Sequence, residues 1–300
     1  MEKKPVLVVV LCLASMVTAA NGAPPPRPAL LSGAPAPPGP STPAPQAAWD
    51  LRWMVAPPRA EASSKPPRRT ARMEALGASL YRARCASCHG ENGEGKGPMA
   101  ARLSVPPTNF VAGVYKLRST PTGSIPTDGD LFTTITRGVH ETTMLPWGEL
   151  REEERWALVF QLQSFSVRFH EERPVRPVSI PTPPAEDAEL RQKGRRLYAT
   201  LQCIACHGEK GMANGPRAHL YRTTAGEQDL RIRDFSRGRF IRGTEMQDIY
   251  LTLRVGLEGT PMASYDALSD GDIWALAAYV RSLIRERPIQ DLPPAGHSIN

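Results

Sequence analysis

Apolar side chains return at helical spacing in two matching sets along this chain, with turn-rich loops between them. Met73, Leu76 and Leu80, with Gly77 and Tyr81 close by, predict an opening helix. Leu190, Gly194, Leu197 and Tyr198 predict a second opening helix further on. Thr127 with Asp130, and Thr244 with Gln247, read as capping boxes that start a middle helix in each set. Glu152, Glu153 and Glu154 put carboxylates at the positive end of a later helix, and Trp156, Val159 and Phe160 supply its inward stripe. Ser269-Asp270-Gly271-Asp272 caps the corresponding helix of the second set, followed by Ile273, Trp274, Leu276 and Ala277.

Outside these sets the pattern changes. Lys3 and Lys4 precede an apolar run from Val6 to Val17, and Ala19, Ala20 and Gly22 follow it, so residues 1–22 read as a secretory signal. The run is shorter than the roughly 20 residues that span a bilayer; if it is not cleaved it acts as an N-terminal anchor. Residues 23–70 are rich in proline and cannot build a core. Trp49, Leu51, Trp53 and Met54 interrupt that segment and offer a contact to the first domain or to a partner. Residues 170–186 carry five prolines and read as a short linker. Three hundred residues then divide into domains at 71–169 and 187–288 and a tail at 289–300.

The two sets carry the same chemistry. Cys85-Ala86-Ser87-Cys88-His89 is followed 118 residues later by Cys203-Ile204-Ala205-Cys206-His207. C-x-x-C-H is the attachment signature of c-type haem: each cysteine adds across a vinyl group, and the histidine is held under the iron. A redox dithiol does not require the histidine, and a zinc site does not require the flanks to repeat. Here the flanks do repeat. The same shift carries Gly97-Pro98 onto Gly215-Pro216, Gly138 onto Gly256, Met144 onto Met262 and Trp156-Ala157-Leu158 onto Trp274-Ala275-Leu276. Histidine and methionine are therefore 55 residues apart in both halves. Asn109-Phe110 answers Asp234-Phe235, which lies seven residues further from its histidine, and a shorter following loop restores the register. Four of the five cysteines lie in the two motifs, and the fifth, Cys12, lies in the leader.

Each half resembles a class I cytochrome c domain, over about residues 72–168 and 187–286. The resemblance implies an all-α fold, two tandem helical domains each wrapped around a covalent haem, and two haem c groups per chain. It implies attachment through Cys85, Cys88, Cys203 and Cys206, with His89 and His207 as proximal iron ligands. Met144 and Met262 match the distal ligands, and the carbonyls of Pro98 and Pro216 match the position that accepts a hydrogen bond from the haem histidine. His140 is a rival ligand for the first iron; its counterpart Glu258 offers none. In the family a glycine lets the terminal helices cross closely. Tyr279 fills a usual aromatic position of the last helix, which its counterpart Gln161 does not.

Charge bears on partners. The formal net charge is +7, and between Arg217 and Arg242 seven arginines face Glu227, Asp229 and Asp234. That stretch reads either as solvated loop pairing with haem propionates or as a docking patch for an acidic redox protein. No nucleic-acid motif accompanies it. The expected function is a periplasmic carrier of single electrons, between a dehydrogenase or quinol-oxidising complex and a terminal oxidase or reductase. Histidine–methionine ligation fills both axial positions, which favours relay over catalysis. The competing readings are a dihaem enzyme, peroxidase-like or thiosulfate-oxidising, and a haem-based gas sensor.

Overall fold

The computed structural model describes residues 65–140, 142–221, 232–238 and 240–285, all within one unit running from Leu51 to Asn300. The leader, the proline-rich segment as far as residue 64 with its two tryptophans, the middle of the arginine-rich stretch and the tail lie outside the described residues. The described residues contain helices and turns and no strand, as the family resemblance implies. The first half is built from α1 (Ala71–Arg84), α2 (Ala86–His89), α3 (Asp128–Arg137), α4 (Glu152–Ser164) and α5 (Arg168–Glu171). The second is built from α6 (Ala188–Thr200), α7 (Ile204–His207), α8 (Met246–Val255) and α9 (Asp270–Ser282).

The helix ends follow local chemistry. Thr127 accepts from the Asp130 amide while the Asp130 carboxylate accepts from the Thr127 amide, a complete capping box for α3. Ser269 caps α9 by accepting from the Asp272 amide at 3.2 Å. The expected box at Thr244 and Gln247 is corrected: α8 starts one residue later, with Glu245 at the cap and no side-chain bond to the backbone. Glu245 is the residue that the 118-residue shift places on Thr127. Its longer side chain does not fold back on the first turn, and it lies 3.9 Å from Arg281 instead.

Each half is closed by its first and last long helices, α1 against α4 and α6 against α9. Both crossings need a glycine. A Cβ on Gly77 would run into the backbone carbonyl of Ala157, and one on Gly194 into that of Ala275, far inside van der Waals contact. Backbone is what stands in the way, so no rotamer change relieves the clash. Tyr81, Trp156, Val159 and Phe160 form the centre of one core; Tyr198, Ile273, Trp274 and Leu276 form that of the other. Tyr198 meets Tyr279 edge to face at 5.2 Å. In the first half Gln161 cannot make that contact. Phe165, one turn on, takes the role, with its ring 4.8 Å from Tyr81.

Gly194→Ala should force α6 away from α9. The expected loss is about 1–3 kcal/mol, the range for overfilling a packed core. It would be read as a lowered midpoint of thermal unfolding against the parent protein, with an unchanged midpoint counting against the close crossing.

Candidate functional site

Each C-x-x-C-H motif is folded into a single helical turn docked on the helix before it. The His89 amide donates to the Cys85 carbonyl at 2.9 Å, and the His207 amide to the Cys203 carbonyl at 2.9 Å. Gly90 and Gly208, at φ +82° and +78°, end the turns in a conformation that side chains disfavour. The buried Tyr81 hydroxyl donates to the Gly90 carbonyl at 2.7 Å, and the Tyr198 hydroxyl to the Gly208 carbonyl at 2.8 Å. Thus the first helix of each half holds the motif through its tyrosine. Burial and the neighbouring Cys88 push the Cys85 thiol up to about 11, so it stays neutral.

Each imidazole is held by a stacked aromatic ring and by a backbone carbonyl. His89 stacks on Phe110 with ring centres 4.5 Å apart, and His207 on Phe235 at 4.3 Å. The Phe110 amide donates to the Gly93 carbonyl at 2.7 Å, and the Phe235 amide to the Gly211 carbonyl at 2.6 Å, so Asn109-Phe110 and Asp234-Phe235 are structural equivalents. Burial lowers the pKa of both histidines, that of His207 to about 4. Neutral imidazole is the form that can give a lone pair to iron.

The second-ring partners correct the expectation about the prolines. His89 Nδ1 lies 3.2 Å from the Thr108 carbonyl oxygen and His207 Nδ1 lies 3.3 Å from that of Arg233. The carbonyls of Pro98 and Pro216 are not the partners. The loops that carry those prolines are drawn onto the outer side of the motif turn: the Gly97 amide donates to Cys88 and Met99 to Ser87, and likewise Gly215 to Cys206 and Arg217 to Ala205. With Nδ1 oriented by a backbone carbonyl, Nε2 is left as the ligating nitrogen.

Met144 and Met262 sit in loops of one design. The Val139 amide donates to the Met144 carbonyl at 2.9 Å, as Leu257 does to Met262 at 2.9 Å. Inside each loop a threonine makes two bonds. Thr142 Oγ1 donates to the Val139 carbonyl at 2.8 Å and accepts from the Met144 amide at 3.1 Å. Thr260 Oγ1 donates to Leu257 at 2.6 Å and accepts from Met262 at 3.1 Å. Gly138 and Gly256, at φ +65° and +64°, turn the chain into these loops, where a Cβ would press on the methionine carbonyls. The two threonines obey the 118-residue shift, so the repeat was the signal that could have revealed them.

All four motif cysteines, both histidines and both methionines line one cavity of about 550 Å³ that continues from one half into the other. His140 is not among its lining residues. The lining is mainly apolar, with Leu131, Ile135, Leu253 and Leu276 among it, which suits a porphyrin. Two features suit the carboxylates that a haem carries. The Tyr115 hydroxyl is buried with no hydrogen-bond partner, and Tyr115 lines the cavity. Lys116 of the first half and Arg233 of the second also line it, and burial together with the Arg233 charge holds the Lys116 ammonium below its usual range. The Lys116 ammonium, facing a low-dielectric space, would be relieved by an anion there. The residues therefore fit haem. Among the described residues no three His, Cys, Asp or Glu side chains converge to hold a bare metal ion, as a zinc reading of the cysteine pairs would need.

Two thiols and a neutral imidazole on one short turn, with a thioether in the same apolar cavity, make each half a domain of the c-type cytochrome kind. Comparison with known proteins agrees. The family model described as Cytochrome c matches residues 191–283, and that described as cytochrome c oxidase, cbb3-type, subunit III matches residues 72–160. A chain from the Kuenenia stuttgartiensis reducing HAO-like protein complex is 38% identical and superposes with a TM-score of 0.69, the match covering 74% of this chain and 100% of that one. No curated protein matches. The chain belongs to the c-type cytochromes, as a two-domain member that binds two haem c groups covalently.

Thr260→Val keeps the shape of the side chain and removes both hydroxyl bonds of the Met262 loop. If that loop loses about 1 kcal/mol, added imidazole should displace the distal ligand of one haem with about fivefold higher affinity. An optical titration against the parent protein checks this, and equal affinities would count against the threonine.

Proposed function

We propose that this chain is an exported, periplasmic electron carrier that passes single electrons between a respiratory donor and a terminal oxidase or reductase. Electron transfer is what its cytochrome c domains indicate. The finer reading rests chiefly on one observation: an imidazole and a methionine thioether from each half line the same cavity. Bound haem supplies a one-electron couple, and the protein sets its conditions. The neutral histidines are fixed by Phe110 and Phe235 and by backbone carbonyls. With haem bound, Met144 and Met262 would supply the second iron ligand beside the histidines, a ligand pair that raises the potential and leaves no open site for substrate. The apolar lining keeps water away, so little solvent reorganises when the charge changes. Export is supported by the basic and apolar pattern of residues 1–22. An acidic partner suits the net charge of +7.

A second reading has its own support. One solved neighbour is a chain of a complex named as reducing and HAO-like, and the match spans all of that chain. On that footing this cytochrome works as the electron-passing subunit of a larger redox enzyme rather than as a free carrier.

A potentiometric titration of the purified holoprotein should give two one-electron steps, and the half-reduced protein should give no steady turnover of peroxide. Sustained peroxide consumption would establish the dihaem enzyme instead. Co-purification from the source cells in a stable complex with a catalytic subunit would favour the second reading over the first.

A further inference from the structure

The segment between Tyr115 and Thr122 belongs to the first half, yet two of its side chains, Arg118 and Thr122, bond to the second. Arg118 has no exposed surface. Its Nη2 donates to the carbonyl of Val255 at 2.9 Å, and Thr122 Oγ1 donates to the same oxygen at 3.0 Å. Val255 is the last residue of α8, immediately before the loop that carries Met262. Arg118 Nε also lies 3.3 Å from Glu258 Oε2, inside that loop, as an ion pair without hydrogen-bond alignment. The remaining donors are anchored at home, with Nη1 on the Tyr115 carbonyl at 3.4 Å and Nε near that of Pro121 at 3.3 Å. Arg242 Nη2 holds the Arg118 carbonyl at 2.9 Å.

The loop of Met262 is thus built by its own threonine at one end and clamped by the other domain at its base and middle. A buried guanidinium with its fork divided between two domains is costly to leave half-paired, so the contact is worth keeping only if both sides are held. Glu258 occupies the position that His140 holds in the first half. The carboxylate that faces Arg118 therefore has no counterpart at that position of the first half. We propose that Arg118 is a positioning residue acting across the domain seam: it holds the Met262 loop closed, so the distal ligation of the second haem depends on docking of the first domain. This rests on Met262 being the distal ligand.

The test reads carbon monoxide binding to the fully reduced holoprotein, since the methionine must leave before the gas can bind. Met262→Ala should bind one equivalent quickly, which marks the second iron. Arg118→Leu should speed binding at that same iron by about tenfold, the scale of losing a hydrogen bond from a charged donor. The other iron should remain slow, and adding Met262→Ala should leave the fast phase at one equivalent. Arg242→Gln loosens the seam through the Arg118 carbonyl but leaves the guanidinium bonds in place, so it should give a smaller acceleration at the second iron than Arg118→Leu. Thr122→Val removes only the second donor to Val255 and should give a smaller acceleration at the same iron; it carries the test if Arg118→Leu fails to accumulate. Unchanged binding in Arg118→Leu and Thr122→Val, equal acceleration at both irons, or a larger effect of Arg242→Gln than of Arg118→Leu would overturn the proposal. A Met262→Ala protein that binds no carbon monoxide removes the ligation reading and the proposal with it. A reactive Met262→Ala beside an inert Arg118→Leu removes the proposal alone.

Discussion

Each half depends on holding one neutral imidazole still at the end of a helix only a turn long. Four residues cannot hold themselves in that shape, because their hydrogen bonds hardly exceed what nucleation costs. The constraint is met from outside. A buried tyrosine on the preceding helix seizes the carbonyl after the histidine, an aromatic ring covers the imidazole face, and a backbone carbonyl takes Nδ1. The same helices carry Gly77 and Gly194, whose missing side chains let them cross the last long helices closely. Tyrosine, carbonyl and imidazole form one chain of contacts.

The two copies keep that chain and vary everything around it. Aromatic cover for the tyrosine comes from Tyr279 in the second half and from Phe165, a turn later, in the first. The middle helix opens on a complete capping box at Thr127 but on an uncapped Glu245. Ligand-bearing turns and loops coincide bond for bond, including the paired bonds of Thr142 and Thr260. Groups that set ligand geometry are intolerant of change. Groups that only fill volume or start a helix have several solutions of similar energy.

Where the halves meet, the copies stop being equivalent. One cavity serves both, with Lys116 from one side and Arg233 from the other. Arg118 is buried at the seam with its guanidinium divided between its own half and the far domain. Cofactors that share a low-dielectric space feel one another's charge more strongly than cofactors separated by water. The tandem arrangement is therefore more than two carriers on a string.

Much of this was legible from residue order. Helical periodicity and the repeat located the helices, the motif cysteines and histidines, the methionines at equal spacing and the paired Asn109-Phe110 and Asp234-Phe235, because each is a side-chain identity tied to local geometry; the family resemblance added the all-α fold and the crossing glycines. Tertiary structure decided the rest. It replaced Pro98 and Pro216 with the carbonyls of Thr108 and Arg233, left His140 outside the cavity, substituted Phe165 for an absent aromatic and set Arg118 against Val255. Every residue owns a carbonyl, so which one meets an imidazole or a guanidinium leaves no trace in the order of side chains. It is settled only when loops far apart in the chain come to lie against each other.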